Sequence, residues 1–135
     1  MDFPNRAQRA LKVLVVDDEP AMLRIVGETL LSAMPNVDVT YASDGEEALR
    51  RIGQDCPSVV VLNVVMPAKT GFEVLARVRA DGNDVPVLLT SGSAAEEVAR
   101  RGTLDDQRVR FLAKPFKLDE LVKEVDQLLL LDGSA

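Results

Sequence analysis

The chain contains no histidine and a single cysteine, Cys56. Without histidine there is no Ser-His-Asp triad, no Cys/His zinc site and no phosphohistidine donor. One cysteine excludes an internal disulfide; Cys56, next to Pro57 at the entry to an apolar run, is expected to be a small buried or half-buried residue in a reducing compartment. No stretch approaches the roughly 18 consecutive apolar residues of a membrane helix. The opening segment MDFPNRAQRALK lacks the apolar core of a signal peptide, so a cytoplasmic location is expected. Positive charge is also short: 16 Lys and Arg stand against 22 Asp and Glu, a net charge of -6. That balance supplies no basic face for direct nucleic-acid binding.

What is present is enough for one domain with a proper core: 135 residues, 47% hydrophobic and 28% charged. LKVLVV (Leu11 to Val16) is too short for a buried helix and rich in β-branched residues, and reads as a strand. Pro20 then opens a helix with Met22, Val26, Leu30 and Ala33 facing inward, broken by Pro35-Asn36. VDVTYA (37–42) alternates as a half-buried strand. Asp44 and Glu47 have capping-box spacing ahead of a helix through Ala48, Leu49 and Ile52, which Gly53 is expected to end. SVVVLN (58–63) is continuously apolar, as a strand covered on both faces should be. Thr70-Gly71 starts a helix with Phe72, Leu75 and Val78 inward, ending near Asp81-Gly82. VPVLLTS (85–91) is a fourth strand. Ser93 and Glu96 open a helix of weak periodicity carrying Val98, Ala99 and Leu104. VRFLA (109–113) is a fifth strand, and Leu118, Leu121, Val122, Val125, Leu128 and Leu129 form the apolar stripe of the last helix. Five strands alternating with five helices predict an α/β fold, a parallel sheet with helices on both faces. The ligand site of such a sheet lies beyond the carboxyl ends of its strands.

The first strand delivers Asp17 and Asp18 to that edge, the third Asn63, the fourth Thr90 and Ser91, and the fifth Lys114. Adjacent carboxylates are hard oxygen ligands suited to Mg²⁺, and a hydroxyl with a lysine suits phosphoryl oxygens. The set reads as a phosphoryl-transfer site that lacks its acceptor, because Asn63 stands where a nucleophilic carboxylate would. Each residue alone has a plainer reading: a helix N-cap pair for Asp17-Asp18, a solvated lysine, a turn serine.

VLVVDDEP, VVVLNVVMPAKTGFEVL, VPVLLTSGS and RFLAKPF together resemble the response-regulator receiver domains of bacterial two-component signalling, over about Lys12 to Leu131. The resemblance implies a flavodoxin-like fold: a five-stranded parallel sheet of order 2-1-3-4-5, doubly wound with five helices. It implies a receiver domain at 11–131, an N-terminal extension at 1–10 and a tail at 132–135. Asp17 and Asp18 resemble the acidic pair that holds Mg²⁺, and Val65 the residue whose backbone carbonyl completes the metal site. Asn63 falls on the phosphoacceptor position, which in the family is aspartate. Ser91 resembles the hydroxyl that turns toward the phosphoryl group, Lys114 the lysine that pairs with it, and Phe111 the switch aromatic, here without a hydroxyl. The implied partners are a histidine kinase or a histidine phosphotransfer protein. An output domain or partner protein is implied on the face made by the Ser93 helix, the fifth strand and the last helix.

A carboxamide is a poor nucleophile, so the chain as it stands is expected not to be phosphorylated, and its Mg²⁺ affinity is expected to be weakened. Asn63 is either an engineered silencing of an ordinary receiver or a natural departure. The alternative function is an interaction scaffold that works without phosphorylation. An enzyme on a similar sheet fits less well. A flavodoxin wants a Ser/Thr/Gly-rich phosphate loop where VVDDEPAM is acidic, and an aspartyl phosphatase wants D-x-D where this chain has adjacent acids. No output domain fits in the remaining residues, so the chain is read as a stand-alone receiver or one taken from a longer protein.

Overall fold

The apolar runs form parallel strands. The computed structural model describes residues 11–92 and 106–131. Within them lie β1 (Leu11–Val16), α1 (Pro20–Ala33), β2 (Val37–Ala42), α2 (Gly45–Asp55), β3 (Val59–Asn63), α3 (Gly71–Ala80), β4 (Val87–Ser91), β5 (Val109–Ala113) and α4 (Leu118–Leu131). All five strands join one sheet of order β2-β1-β3-β4-β5. The helix expected from Ser93 lies outside the described residues. No helix among the described residues is long and apolar enough to cross a membrane.

Strand side chains alternate between two apolar layers, as the pleat requires. Leu14, Val16, Val60, Leu62, Val87 and Leu89 face α2 and α3, where they meet Ala48, Ile52, Val74, Leu75 and Val78. Val13, Val15, Val59, Val61 and Leu88 face α1 and α4, where they meet Val26, Leu30, Leu121, Val125 and Leu128. β1 and β3 are covered on both faces, so their continuous apolar character follows from their place in the middle of the sheet.

Several local expectations are corrected. Cys56 is exposed, not buried. It caps the end of α2 in the left-handed region with φ 48°, its N–H donating to the Ile52 carbonyl. The helix therefore runs past Gly53 to Asp55, and Pro57 takes the buried place. In α1 the inward position expected for Ala33 is filled one residue later by Met34. Leu118 is 45% exposed, because it lies in the first turn of α4, ahead of the stripe that starts at Leu121. At the start of α2, Asp44 accepts from the Glu47 N–H at 2.8 Å, but Glu47 reaches back to the Ser43 N–H and not to Asp44. The full reciprocal capping box sits instead on α3, between Thr70 and Glu73.

Gly71, the first residue of α3, is required by close approach to the strand it follows. A Cβ there would lie 2.6 Å from the Asn63 carbonyl oxygen and 2.9 Å from the Val64 Cα. Both are backbone atoms and cannot rotate away. Gly71→Ala is expected to cost about 1–3 kcal/mol, read as a lower urea midpoint; an unchanged midpoint contradicts this reading.

The approach to β5 is tied to α3 through Arg79, whose Nε donates to Asp106 at 2.8 Å. Burial of Asp106 pulls its pKa up, but the hydrogen bonds from Arg79 and the Arg108 N–H and the charges of both arginines outweigh burial, so the pKa falls below the ordinary carboxylate value. Asp106 is therefore held ionised more firmly in the folded chain than in the unfolded one. The stability it lends is present above the unfolded value and is lost as pH falls through the folded one. Asp106→Asn should flatten the acid decline below roughly pH 4, by less than about 1 kcal/mol because the pair is partly solvated. Parallel acid-denaturation curves for the two proteins would contradict it.

Candidate functional site at the carboxyl edge of the sheet

β1 ends at Val16, and Asp17 is the first residue beyond it. Asp17 is 4% exposed, and its Oδ1 accepts from the Glu19 N–H at 2.9 Å, a turn that leads the chain into Pro20 at the start of α1. The plain turn role and a site role thus coexist in one carboxylate, each using a different oxygen. Asp17 Oδ2 faces the Lys114 ammonium at 3.3 Å. Asp18 is exposed at the rim.

β3 ends on Asn63, which is 5% exposed. Its Oδ1 accepts from Lys114 Nζ at 3.1 Å. Its Nδ2 donates to the Val65 carbonyl at 2.8 Å and reaches Asp18 Oδ1 at 3.5 Å. The amide orientation follows from its neighbours: an ammonium only donates, and a carbonyl and a carboxylate only accept. The Val65 side chain is exposed, so its contribution to the site is the backbone oxygen.

Lys114 follows β5, and its position is set by the sheet. Its backbone N–H donates to the Ser91 carbonyl at 2.8 Å, extending the β4–β5 ladder one residue past Ala113. Ser91 and Thr90 are both buried at the end of β4. Ser91 joins the site through this backbone link, and its neighbour Gly92 lies against the Lys114 side chain. Phe111 pairs with Leu89 in the ladder and lies half-buried against the α2/α3 apolar layer, three residues before Lys114.

Direct hydrogen bonds therefore unite Asp17, Asp18, Asn63, Val65 and Lys114, while Ser91 and Phe111 stand behind them on β4 and β5. Sequence reasoning passed over two backbone contributors. The Glu19 N–H orients Asp17, and an Asp two residues before an N–H near a helix start is a recognisable turn signal. Gly71, read in the sequence only as a helix start, packs the β3–α3 loop against Asn63, its N–H donating to the Val64 carbonyl at 2.8 Å.

The donor set fits a divalent cation only in part. Asp17, Asp18 and the Val65 carbonyl supply hard oxygens of the kind Mg²⁺ takes. The oxygen of Asn63, however, is turned to Lys114, and its NH₂ faces two of those three donors. Among the described residues no group of three or more His, Cys, Asp or Glu is arranged to hold a metal ion.

A doubly wound parallel sheet of order 2-1-3-4-5 with polar groups gathered at its carboxyl edge defines a flavodoxin-like α/β signalling fold of the CheY type. The chain belongs to the response regulator receiver domain family, which it matches over residues 13–126. It is 38% identical over 121 residues to the response regulator MprA of Mycolicibacterium vanbaalenii, an alignment covering 88% of this chain and 50% of that protein. Its likeness to MprA of Mycobacterium leprae is 36% over 121 residues, 88% of this chain and 51% of the relative. The chain thus spans about half the length of the curated relatives it matches. Among solved structures, the receiver domain of the Francisella response regulator 1452 superposes with a TM-score of 0.79 at 30% identity, covering 90% of this chain and 98% of that one. The chemotaxis protein CheY4 of Vibrio cholerae superposes with a TM-score of 0.76 at 31% identity, covering 87% and 98%. This is a receiver domain of a two-component response regulator. Receiver domains generally bind Mg²⁺ at their phosphorylation site.

Proposed function

We propose that this chain is a receiver silenced at its acceptor position, with residues 11–131 as the receiver unit, 1–10 as an extension and 132–135 as a tail. The observation that carries the reading is the Lys114 ammonium, which bridges Asp17 at 3.3 Å and Asn63 at 3.1 Å at the switch point of the sheet. In this reading Asn63 stands at the phosphoacceptor position. A carboxylate there would attack the phosphorus of a phosphohistidine on a kinase or phosphotransfer protein, breaking the P–N bond and forming an acyl phosphate. The carboxamide oxygen is too weakly nucleophilic to do so. Lys114 and the Ser91 hydroxyl are the groups that would hold phosphoryl oxygens, and Phe111 the aromatic whose packing would change with them. The chain is a signalling module and not an enzyme acting on other substrates, and its working place is the cytoplasm. Asp17, Asp18 and the Val65 carbonyl are the groups that would hold Mg²⁺, with one carboxylate fewer than the family's site and so more weakly.

An apolar depression of about 410 Å³ beside the site, lined by Met22, Ile25, Pro115, Phe116 and Leu118, supports docking of the phosphodonor protein there. It adjoins Lys114, so a partner seated on it would bring its imidazole to the sheet edge. Output is assigned to the face made by β5 and α4. The internally satisfied Asn63 favours one further reading, a scaffold whose partner binding is indifferent to Mg²⁺ and to phosphodonors. The test of silencing is the intact mass of the unaltered chain after incubation with Mg²⁺ and acetyl phosphate. The expected mass is unchanged; a phosphoryl adduct on the unaltered chain contradicts the proposal.

A further inference from the structure

The loss of a carboxylate is a sufficient reason for weaker metal binding, but the Asn63 hydrogen bonds carry a stronger statement. A neutral carboxamide that merely replaced a carboxylate would still offer its oxygen to a cation. Here that oxygen is committed to Lys114 at 3.1 Å. The two amide hydrogens are directed at the Val65 carbonyl, 2.8 Å from Nδ2, and at Asp18 Oδ1, 3.5 Å away. These oxygens belong to two of the three groups left for a metal. We infer that the Asn63 amide is a built-in substitute for the cation: its NH₂ group satisfies the Val65 and Asp18 oxygens and so keeps the acidic pocket closed to divalent metal.

The alternatives open to the side chain support this. Rotating the amide by half a turn would offer Oδ1 to a cation but would set Nδ2 against the Lys114 ammonium, two donors face to face. Withdrawing the side chain is opposed by burial, since Asn63 is 5% exposed and its backbone is held in the sheet and under Gly71. A cation seated between Asp18 and the Val65 carbonyl must therefore displace the amide hydrogens from both, or turn the amide and set Nδ2 against Lys114. The amide opposes the metal by occupation as well as by lack of charge.

Occupation makes a prediction that ligand counting does not. By counting, Asn63→Ala removes an oxygen donor and should weaken Mg²⁺ binding further. By occupation, it removes the NH₂ group and should strengthen it. The inference rests on the receiver-site reading, so Asn63→Asp is measured alongside. Isothermal titration of Mg²⁺ into the unaltered chain, Asn63→Ala, Asn63→Ser and Asn63→Asp separates the cases, with circular dichroism used to confirm that each is folded. We expect the Ala and Ser variants to bind at least about fivefold more tightly than the unaltered chain, the gain expected from a hydrogen bond no longer broken. Asn63→Asp should bind most tightly. If the unaltered chain binds Mg²⁺ as tightly as the folded Ser or Ala variant, the amide is not a plug and the inference falls while the receiver-site reading stands. If Asn63→Asp binds no metal, the receiver-site reading falls and takes the inference with it.

Discussion

Lys114→Met should destabilise the folded chain by about 2–4 kcal/mol, far more than the loss of an ordinary surface lysine. Asp17 is buried, and Lys114 is the cation within 3.3 Å of its Oδ2. Removing the ammonium leaves that oxygen with an unneutralised charge, while Oδ1 keeps the Glu19 N–H. Asn63 Oδ1, also buried, loses the donor at 3.1 Å. One charged and one neutral acceptor are orphaned together, and an unsatisfied buried acceptor costs more than the net worth of its bond. The lysine side chain is 23% exposed, so solvent screens part of the pair and the figure stays below that of a fully buried ion pair. Adding Asp17→Asn to Lys114→Met should recover part of the loss, because the stranded charge is then gone. Chemical denaturation of the two single variants and the double variant measures the coupling. A single-variant loss within about 0.5 kcal/mol would return Lys114 to the class of solvated surface lysines.

Asn63→Asp should melt below the unaltered chain in metal-free buffer, by about 1–3 kcal/mol or roughly 3–10 °C for a domain of this size. It would place a third carboxylate beside Asp17 and Asp18, with Lys114 as the only lysine or arginine bonded to the cluster among the described residues. It would also remove the NH₂ donor that the Val65 carbonyl and Asp18 now share. Both changes act in the same direction. Mg²⁺ should then raise the melting temperature of the variant and leave that of the unaltered chain nearly unmoved, since binding to the folded state stabilises in proportion to affinity. Superimposable melting curves for the two proteins in both buffers would contradict the account.

The elements most legible in the sequence were those whose pattern is local. β1, β3, β4 and β5 announced themselves as short, mostly apolar runs, and the polar residue at or just after the end of each run is the residue found at the sheet edge. The stripe of α4 was visible from Leu121 onward because burial there follows helical spacing. Misreadings came where tertiary placement overrode local signals. Gly53 looked like a helix stop, yet α2 continues to Asp55 and ends on Cys56 in a conformation usually left to glycine. Ala33 and Leu118 carried the right period but lie at helix ends, where the face turns away from the sheet. Val74 is fully buried and was passed over beside Phe72 and Leu75. At the site, the residue types were legible but the orientation of the Asn63 amide was not. That orientation depends on which neighbour is a pure donor and which are pure acceptors, and those neighbours come from positions 18, 65 and 114.

The most direct test of the central claim, that every part of a receiver site but the nucleophile is present, is the intact mass of Asn63→Asp after incubation with acetyl phosphate, with and without Mg²⁺. One phosphoryl adduct is expected, formed only with Mg²⁺ and absent from the unaltered chain. A variant that binds Mg²⁺ yet gains no adduct would show that Asp17, Asp18, Ser91 and Lys114 do not form a working site, and would contradict the account.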